Sequence, residues 1–277
     1  MLKIKKISTI VLALCISLTS IMVFDRGNSY AAEFNYNNYL KNNKTYYCDL
    51  DGDGRKEKIK QVENYDQDTY LWNVKLYING KLKKAYQNIR GISVYICDFN
   101  KYDGRKEIYV HHSAPMGGTS PLTYICRYNK NGTFKNYKLS GYVNSYNNKT
   151  GVIKFSYAQC DENPSFKSFT KPLDDYLIID YTYKKITKYS FSDIVQKTTT
   201  ATIVGESAYY EHTPLKTLTA YTSISGKKVA YKIYKGEKVK FVSLYKSGSK
   251  KYVKVKKANG KCAWIKVGNT KLFKFAD

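Results

Sequence analysis

Histidine is nearly absent from this chain: His111, His112 and His212 are the only three in 277 residues. That scarcity argues against hydrolytic chemistry that leans on imidazole as a general base or metal ligand. The cysteines match no zinc spacing. Five of them (Cys48, Cys97, Cys126, Cys160 and Cys262) follow the amino-terminal apolar segment, an odd number that cannot close completely into bridges. A Cys48–Cys97 bridge suits an exported protein, and small buried apolar side chains are the plainer reading for most of the five. Beyond residue 24 no run is apolar enough to span a bilayer. Acidic residues are also few, 22 against 47 Lys and Arg, giving a formal net charge of +25. Tryptophan is scarce at 2, but 29 Tyr and 11 Phe, with Val, Ile and Thr between turn residues, indicate a β-protein.

The amino terminus reads as an export signal over residues 1–31. Lys3, Lys5 and Lys6 precede an apolar run from Ile7 to Phe24, and Ser29-Tyr30-Ala31 supplies a small-residue exit. Leu14 stands before Cys15 where lipid attachment needs a small residue. The expected product is secreted and carries no membrane span. Its charge is uneven: residues 213–277 hold 17 Lys against Glu237 and Asp277. A shift of that size predicts two domains with different partners, 33–195 and 205–277, joined by a Thr-rich connector at 196–204.

The first domain contains a duplication. Tyr46-Tyr47-Cys48-Asp49-Leu50-Asp51-Gly52-Asp53-Gly54-Arg55-Lys56-Glu57 resembles Tyr95-Ile96-Cys97-Asp98-Phe99-Asn100-Lys101-Tyr102-Asp103-Gly104-Arg105-Lys106-Glu107 at a spacing of 49 residues. After each copy comes an apolar stretch, then an alternating strand, an Asn-Gly turn (Asn79-Gly80, Asn131-Gly132) and a return strand. In the first alternating strand Tyr70, Trp72, Val74, Leu76 and Ile78 are expected on one face. A further 49 residues on, Asn147-Asn148-Lys149-Thr150-Gly151 is either a third copy without its acidic loop or a plain hairpin turn. Repeats of this length with several antiparallel strands form propeller blades in many proteins, but three cannot close one. The expectation is an all-β fold, a partial propeller-like stack of antiparallel units followed by a small barrel.

The acidic loops carry the most specific chemistry. A hard cation needs several oxygens from a sharply bent segment, and Asp49, Asp51 and Asp53 project every second side chain inward. Gly54 permits the bend, and the Arg55 carbonyl and the Glu57 carboxylate can complete the shell. An EF-hand is ruled out, because position twelve would be Lys60. The pattern Asp49-x-Asp51-x-Asp53-Gly54-x-x-Glu57 resembles the calcium loop of FG-GAP and VCBS repeats. That resemblance implies Ca2+ bound by Asp49, Asp51, Asp53 and Glu57 with the Arg55 carbonyl. The second copy departs from it by one inserted residue, so Asp98, Asn100, Asp103 and Glu107 would have to bind through a reshaped loop.

In the C-terminal module, Val229–Tyr234, Gly236–Val242, Lys251–Val255 and Gly260–Ile265 alternate apolar with charged residues, as a small barrel with one packed face does. Gly236-Glu237-Lys238-Val239, Tyr252-Val253-Lys254-Val255 and Ala263-Trp264-Ile265 resemble a bacterial SH3-like domain, although Ala263 and Tyr252 replace the usual Gly and Trp. Its charge should attract polyanions. After export the candidates are teichoic acid or peptidoglycan of a Gram-positive cell wall, or a surface protein; nucleic acid is not expected. The function expected is that of a non-catalytic, calcium-binding, wall-associated binding protein. Alternatives are a calcium-stabilised docking protein and a metal-assisted extracellular hydrolase using His111 and His112, in the segment His111–Gly118.

Overall fold

The computed structural model describes residues 32–276 except 36, 113–120, 164, 174–176 and 185–197. The expected export signal therefore lies outside the described residues. Residues 32–277 cluster as one compact unit. Among the described residues there is no α-helix, and no helix is long and apolar enough to cross a membrane. The fold is all-β with antiparallel sheets, none of which closes into a barrel.

A short strand, β1 (Ala32–Glu33), is followed by the two copies of the repeat. Each is a four-stranded meander. The first sheet runs β2 (Thr45–Cys48), β3 (Glu57–Asp66), β4 (Leu71–Ile78), β5 (Lys81–Ile89), and the second β6 (Ile92–Cys97), β7 (Glu107–His112), β8 (Leu122–Tyr128), β9 (Phe134–Ser140). Both acidic segments thus join the first strand of a meander to its second. In β4 the expected inward face holds for Val74, Leu76 and Ile78, all with no exposed surface, and for half-buried Trp72. Tyr70 departs from it: with φ at 56° it sits in the turn before the strand, 72% exposed. Asn79 and Gly80 both have positive φ, 51° and 76°, as a two-residue hairpin requires to match strand twist.

A third meander follows: β10 (Tyr142–Asn147), β11 (Val152–Gln159), β12 (Ile178–Lys184) and β13 (Thr198–Ile203). The Asn147–Gly151 segment is a tight hairpin within it, closing at the pair Asn147↔Val152. Strand β13 occupies the stretch expected to be a connector. Its β-branched residues suit a strand, and Ala201 and Ile203 are buried while Thr200 and Thr202 face outward.

The remaining strands are β14 (Glu211–Pro214), β15 (Leu218–Tyr221), β16 (Val229–Ile233), β17 (Val239–Ser247), β18 (Lys250–Lys257), β19 (Cys262–Val267) and β20 (Phe273–Phe275). Because β13 pairs with β12 on one edge and β17 on the other, the third meander and the C-terminal strands form one sheet. Its order is β1-β10-β11-β12-β13-β17-β18-β19-β15-β16, with β14 joined to β17 and β20. The barrel expected from sequence is therefore replaced by an open extension of the neighbouring sheet.

Two cores hold the stack together. Ile59, Val74, Leu76 and Ile78 of the first sheet pack with Val94, Ile108, Val110 and Cys126 of the second. The opposite face of the second sheet (Tyr95, Cys97, Tyr109, Ile125) packs with Val143, Ile153, Phe155 and Tyr181. Covering both faces explains why β7 is buried at nearly every position. The Val143 N–H donates to the Tyr109 hydroxyl at 3.2 Å, and the Tyr181 hydroxyl donates to the Ser140 carbonyl at 3.1 Å, so polar atoms in this interface are paired.

Candidate metal centre

The first acidic loop is built by its own backbone. Asp49 accepts the Gly52 N–H on Oδ1 (2.7 Å) and the Gly54 N–H on Oδ2 (2.8 Å). Asp51 Oδ1 accepts from Asp53 N–H (3.1 Å), and Asp53 Oδ1 from Arg55 N–H (2.8 Å). Glu57, at the start of β3, accepts the Leu50 N–H on Oε2 at 2.7 Å. These bonds fix each carboxylate and leave Asp51 Oδ2, Asp53 Oδ2 and Glu57 Oε1 outside the backbone bonds of the loop.

One ligand atom each from Asp49, Asp51 and Glu57 falls within 4.8 Å of the others. The loop therefore brings together three of the expected ligands. Asp53 is exposed and stands outside that trio, and Arg55 enters the loop through its N–H. Asp51 and Glu57 are only 4% and 6% exposed. Burial, reinforced by neighbouring carboxylates, pushes both above the usual carboxylate range, and backbone N–H donors oppose the rise. Among the described residues no salt bridge neutralises this loop. Largely buried, converging, oxygen-only donors with no salt-bridge partner fit a hard divalent ion.

Gly52 shows how closely the two loops approach. A Cβ there would lie 3.0 Å from Arg105 Cγ and 3.3 Å from the Asp103 carbonyl oxygen, and its φ is +74°. The Lys106 N–H also donates to the Asp49 carbonyl at 3.2 Å.

The second loop repeats three of the first loop's five bonds despite its insertion, and among the described residues lacks counterparts of the two that Asp49 accepts. Asn100 Oδ1 accepts from Tyr102 N–H (3.2 Å), Asp103 Oδ1 from Arg105 N–H (3.0 Å), and Glu107 Oε2 from Phe99 N–H (3.3 Å). Its carboxylates have a protein cation. Arg127 of β8 donates through Nε (3.0 Å) and Nη2 (2.8 Å) to Glu107 Oε1, and through Nη2 to Asp103 Oδ2 at 2.9 Å. Burial pushes the Glu107 carboxyl up to about 7 against the pull of that guanidinium. Asp98 lies apart from these bonds, with Oδ1 shielded and without a hydrogen-bond partner. Sequence reasoning missed Arg127. The available signal was a single arginine in the otherwise inward-looking strand Leu122–Tyr128, where a buried guanidinium requires carboxylates.

The histidine pair divides across its strand. His112 stacks on Tyr124 at 5.7 Å, while His111 faces Tyr109 and Tyr142 at 6.4 and 6.2 Å. His111 lines a cleft of about 520 Å³ with Tyr39, Glu63, Trp72 and Tyr95. Burial lowers its pKa to about 4. Residues 113–118 of the expected catalytic segment lie outside the described residues. None of Cys48, Cys97, Cys126, Cys160 and Cys262 is bridged. Burial pushes the Cys48 thiol up to about 11 and Cys126 to about 12, so both remain protonated at neutral pH.

Lysines of the C-terminal strands fall into two groups. Lys246 and Lys251 are tied internally, donating to the carbonyls of Ser165 (3.0 Å) and Ser168 (2.8 Å). Others surround a hollow of about 350 Å³ lined by Lys238, Lys240, Lys256, Lys257 and Glu211. Lys257 contacts Glu237 at 2.7 Å and Lys238 contacts Glu211 at 3.7 Å. Lys240 and Lys256 sit directly opposite each other on β17 and β18. Outward positions of the same sheet carry Tyr245, Tyr252 and Trp264, the Tyr245 ring centroid lying 6.2 Å from that of Tyr252 and 6.4 Å from that of Trp264, and Lys254 lies 5.9 Å over Trp264.

Comparison of the chain with protein-family models, with curated proteins and with solved structures finds no match.

Proposed function

We propose that the chain is an exported, non-catalytic binding protein of a Gram-positive cell surface, steadied by calcium at the first acidic loop and holding an anionic wall polymer on its C-terminal strands. In this reading the three stacked meanders are a partial propeller of FG-GAP/VCBS type, and residues 205–277 are an SH3-like module. The ion is structural, held by Asp49, Asp51 and Glu57, with Asp53 and the Arg55 carbonyl completing its shell. It neutralises carboxylates that would otherwise repel one another in a partly buried turn.

The observation that carries the binding half is the Lys240–Lys256 pair. Like charges directly opposite on neighbouring strands cost stability, roughly 0.2–1 kcal/mol. A phosphate or carboxylate in the hollow would turn that repulsion into attraction, and the adjoining Tyr245, Tyr252 and Trp264 offer flat apolar faces to sugar or polyol segments. Retention on purified walls should fall steeply with added salt. It should also fall on walls stripped of phosphodiester polymer and in Lys240→Gln/Lys256→Gln. Retention indifferent to salt and to both lysines would refute the polyanion reading.

A metal-assisted hydrolase at His111 and His112 has less support, since the two rings face opposite sides of β7. Loss of a measured hydrolytic activity in His111→Ala would revive it, with His111 acting alone in the cleft beside Glu63.

A further inference from the structure

We propose that the second acidic loop carries its own cation, the Arg127 guanidinium, so that the chain takes up a single calcium ion, at the first loop. The inference rests on the calcium reading of that first loop.

The two loops share three equivalent hydrogen bonds, which makes the atoms concerned comparable. Leu50 N–H occupies Glu57 Oε2, and Phe99 N–H occupies Glu107 Oε2. In each glutamate this leaves Oε1 as the oxygen for a cation. Glu57 Oε1 belongs to the converging trio's carboxylate, whereas Glu107 Oε1 receives both Nε and Nη2 of Arg127. The same guanidinium takes Asp103 Oδ2, the oxygen of Asp103 left over from its bond to Arg105 N–H. A divalent ion would compete for these oxygens and stand within a few ångströms of a fixed positive charge, which the interior screens poorly. The side chains of Asp103 and Glu107 have no exposed surface and that of Arg127 has 6%, so solvent does little to relieve that conflict.

The topology explains why only one copy can do this. One step past the ladder pair Ile108↔Cys126, Arg127 stands across from Glu107 while still in β8. In the first sheet the hairpin turns sooner. Two steps past Ile59↔Ile78, the residue across from Glu57 is Gly80, which has no side chain to offer. The change from Asp51 to Asn100 fits the same account, since a guanidinium shared by two carboxylates leaves no charge to balance a third ligand.

Calcium counted by equilibrium dialysis and atomic absorption on the mature chain should give one equivalent, lost in Asp51→Asn and retained in Glu107→Gln. Two equivalents in the wild type, or loss of the one equivalent in Glu107→Gln alone, would overturn the proposal. No calcium at all would sink the reading of the first loop, and a second arm then decides on Arg127. In chelator, Arg127→Met should lower Tm by roughly 10 °C, because Glu107 is left buried without its counter-charge. Adding Glu107→Gln should recover at least half of that loss. Strictly additive losses, with no recovery, would show that Arg127 does not neutralise Glu107. Arg127→Lys keeps the charge but not the fork, and serves as the milder form of the same test should Arg127→Met fail to fold.

Discussion

At the scale of single residues, burial outweighs chemistry at several positions. His212 is 1% exposed and its ring lies 4.0 Å from Phe241 in a near-parallel stack. Burial depresses its pKa to about 4. Between about 6.5 and 4 the unfolded chain takes up a proton that the folded chain refuses, so stability is lost as pH falls through that window. His111 acts in the same direction. His212→Phe should flatten the acid limb of a Tm-against-pH curve, and an unchanged limb would refute the assignment. Glycine gives a second test. Gly52 and Gly54 both have positive φ, +74° and +86°, but only Gly52 faces a neighbour within 4 Å. Gly54→Ala should cost about 1 kcal/mol from backbone strain alone, and Gly52→Ala about twice that, measured by denaturant unfolding. The cluster of Asp49, Asp51 and Glu57 was legible in sequence because its spacing is local. Arg127 was not, because its meaning depends on a partner 20 residues away that only the strand register supplies.

At the scale of elements, most strands could be read from alternation, since a half-buried strand must show period two. Strand β18 is an example: Lys251, Val253 and Val255 are buried and Lys250 and Lys256 are exposed. The stretch 198–203 does not show as a strand in sequence, because a threonine run looks like a low-complexity connector and its pairing with β12 and β17 is a matter of long-range contacts. The C-terminal lysines were legible as charge but not as positions. Lys246 and Lys251 spend theirs on carbonyls of the segment 165–168, while Lys240 and Lys256 face each other. Lys240 also faces Glu211 across β14, so the clean test is Lys256, whose other neighbour is Cys262: Lys256→Gln should raise stability by about 0.5 kcal/mol while weakening wall retention. A loss of stability together with binding would mean that the lysine serves the fold instead.

At the scale of the whole molecule, calcium and cooperativity can be tested together. A saturating ion should raise Tm by several degrees at pH 7, since it binds the folded loop and not the unfolded chain. The gain should shrink in acid as protons compete for Asp51 and Glu57, whose raised pKa values make that competition early. Equal melting in calcium and in chelator at pH 7 would remove the ion from the account. Scanning calorimetry should show the third meander and the C-terminal strands unfolding in one transition, because β13 is hydrogen-bonded on both of its edges. Two resolved transitions would mean that the shared strand couples them weakly. The doubly paired strand also has a mechanical consequence. Two modules on a slack tether swivel independently, so a pull on one end first straightens the tether. Here a load passing between the lysine hollow and the third meander crosses continuous hydrogen-bonded ladders, so the two turn together rather than swivel.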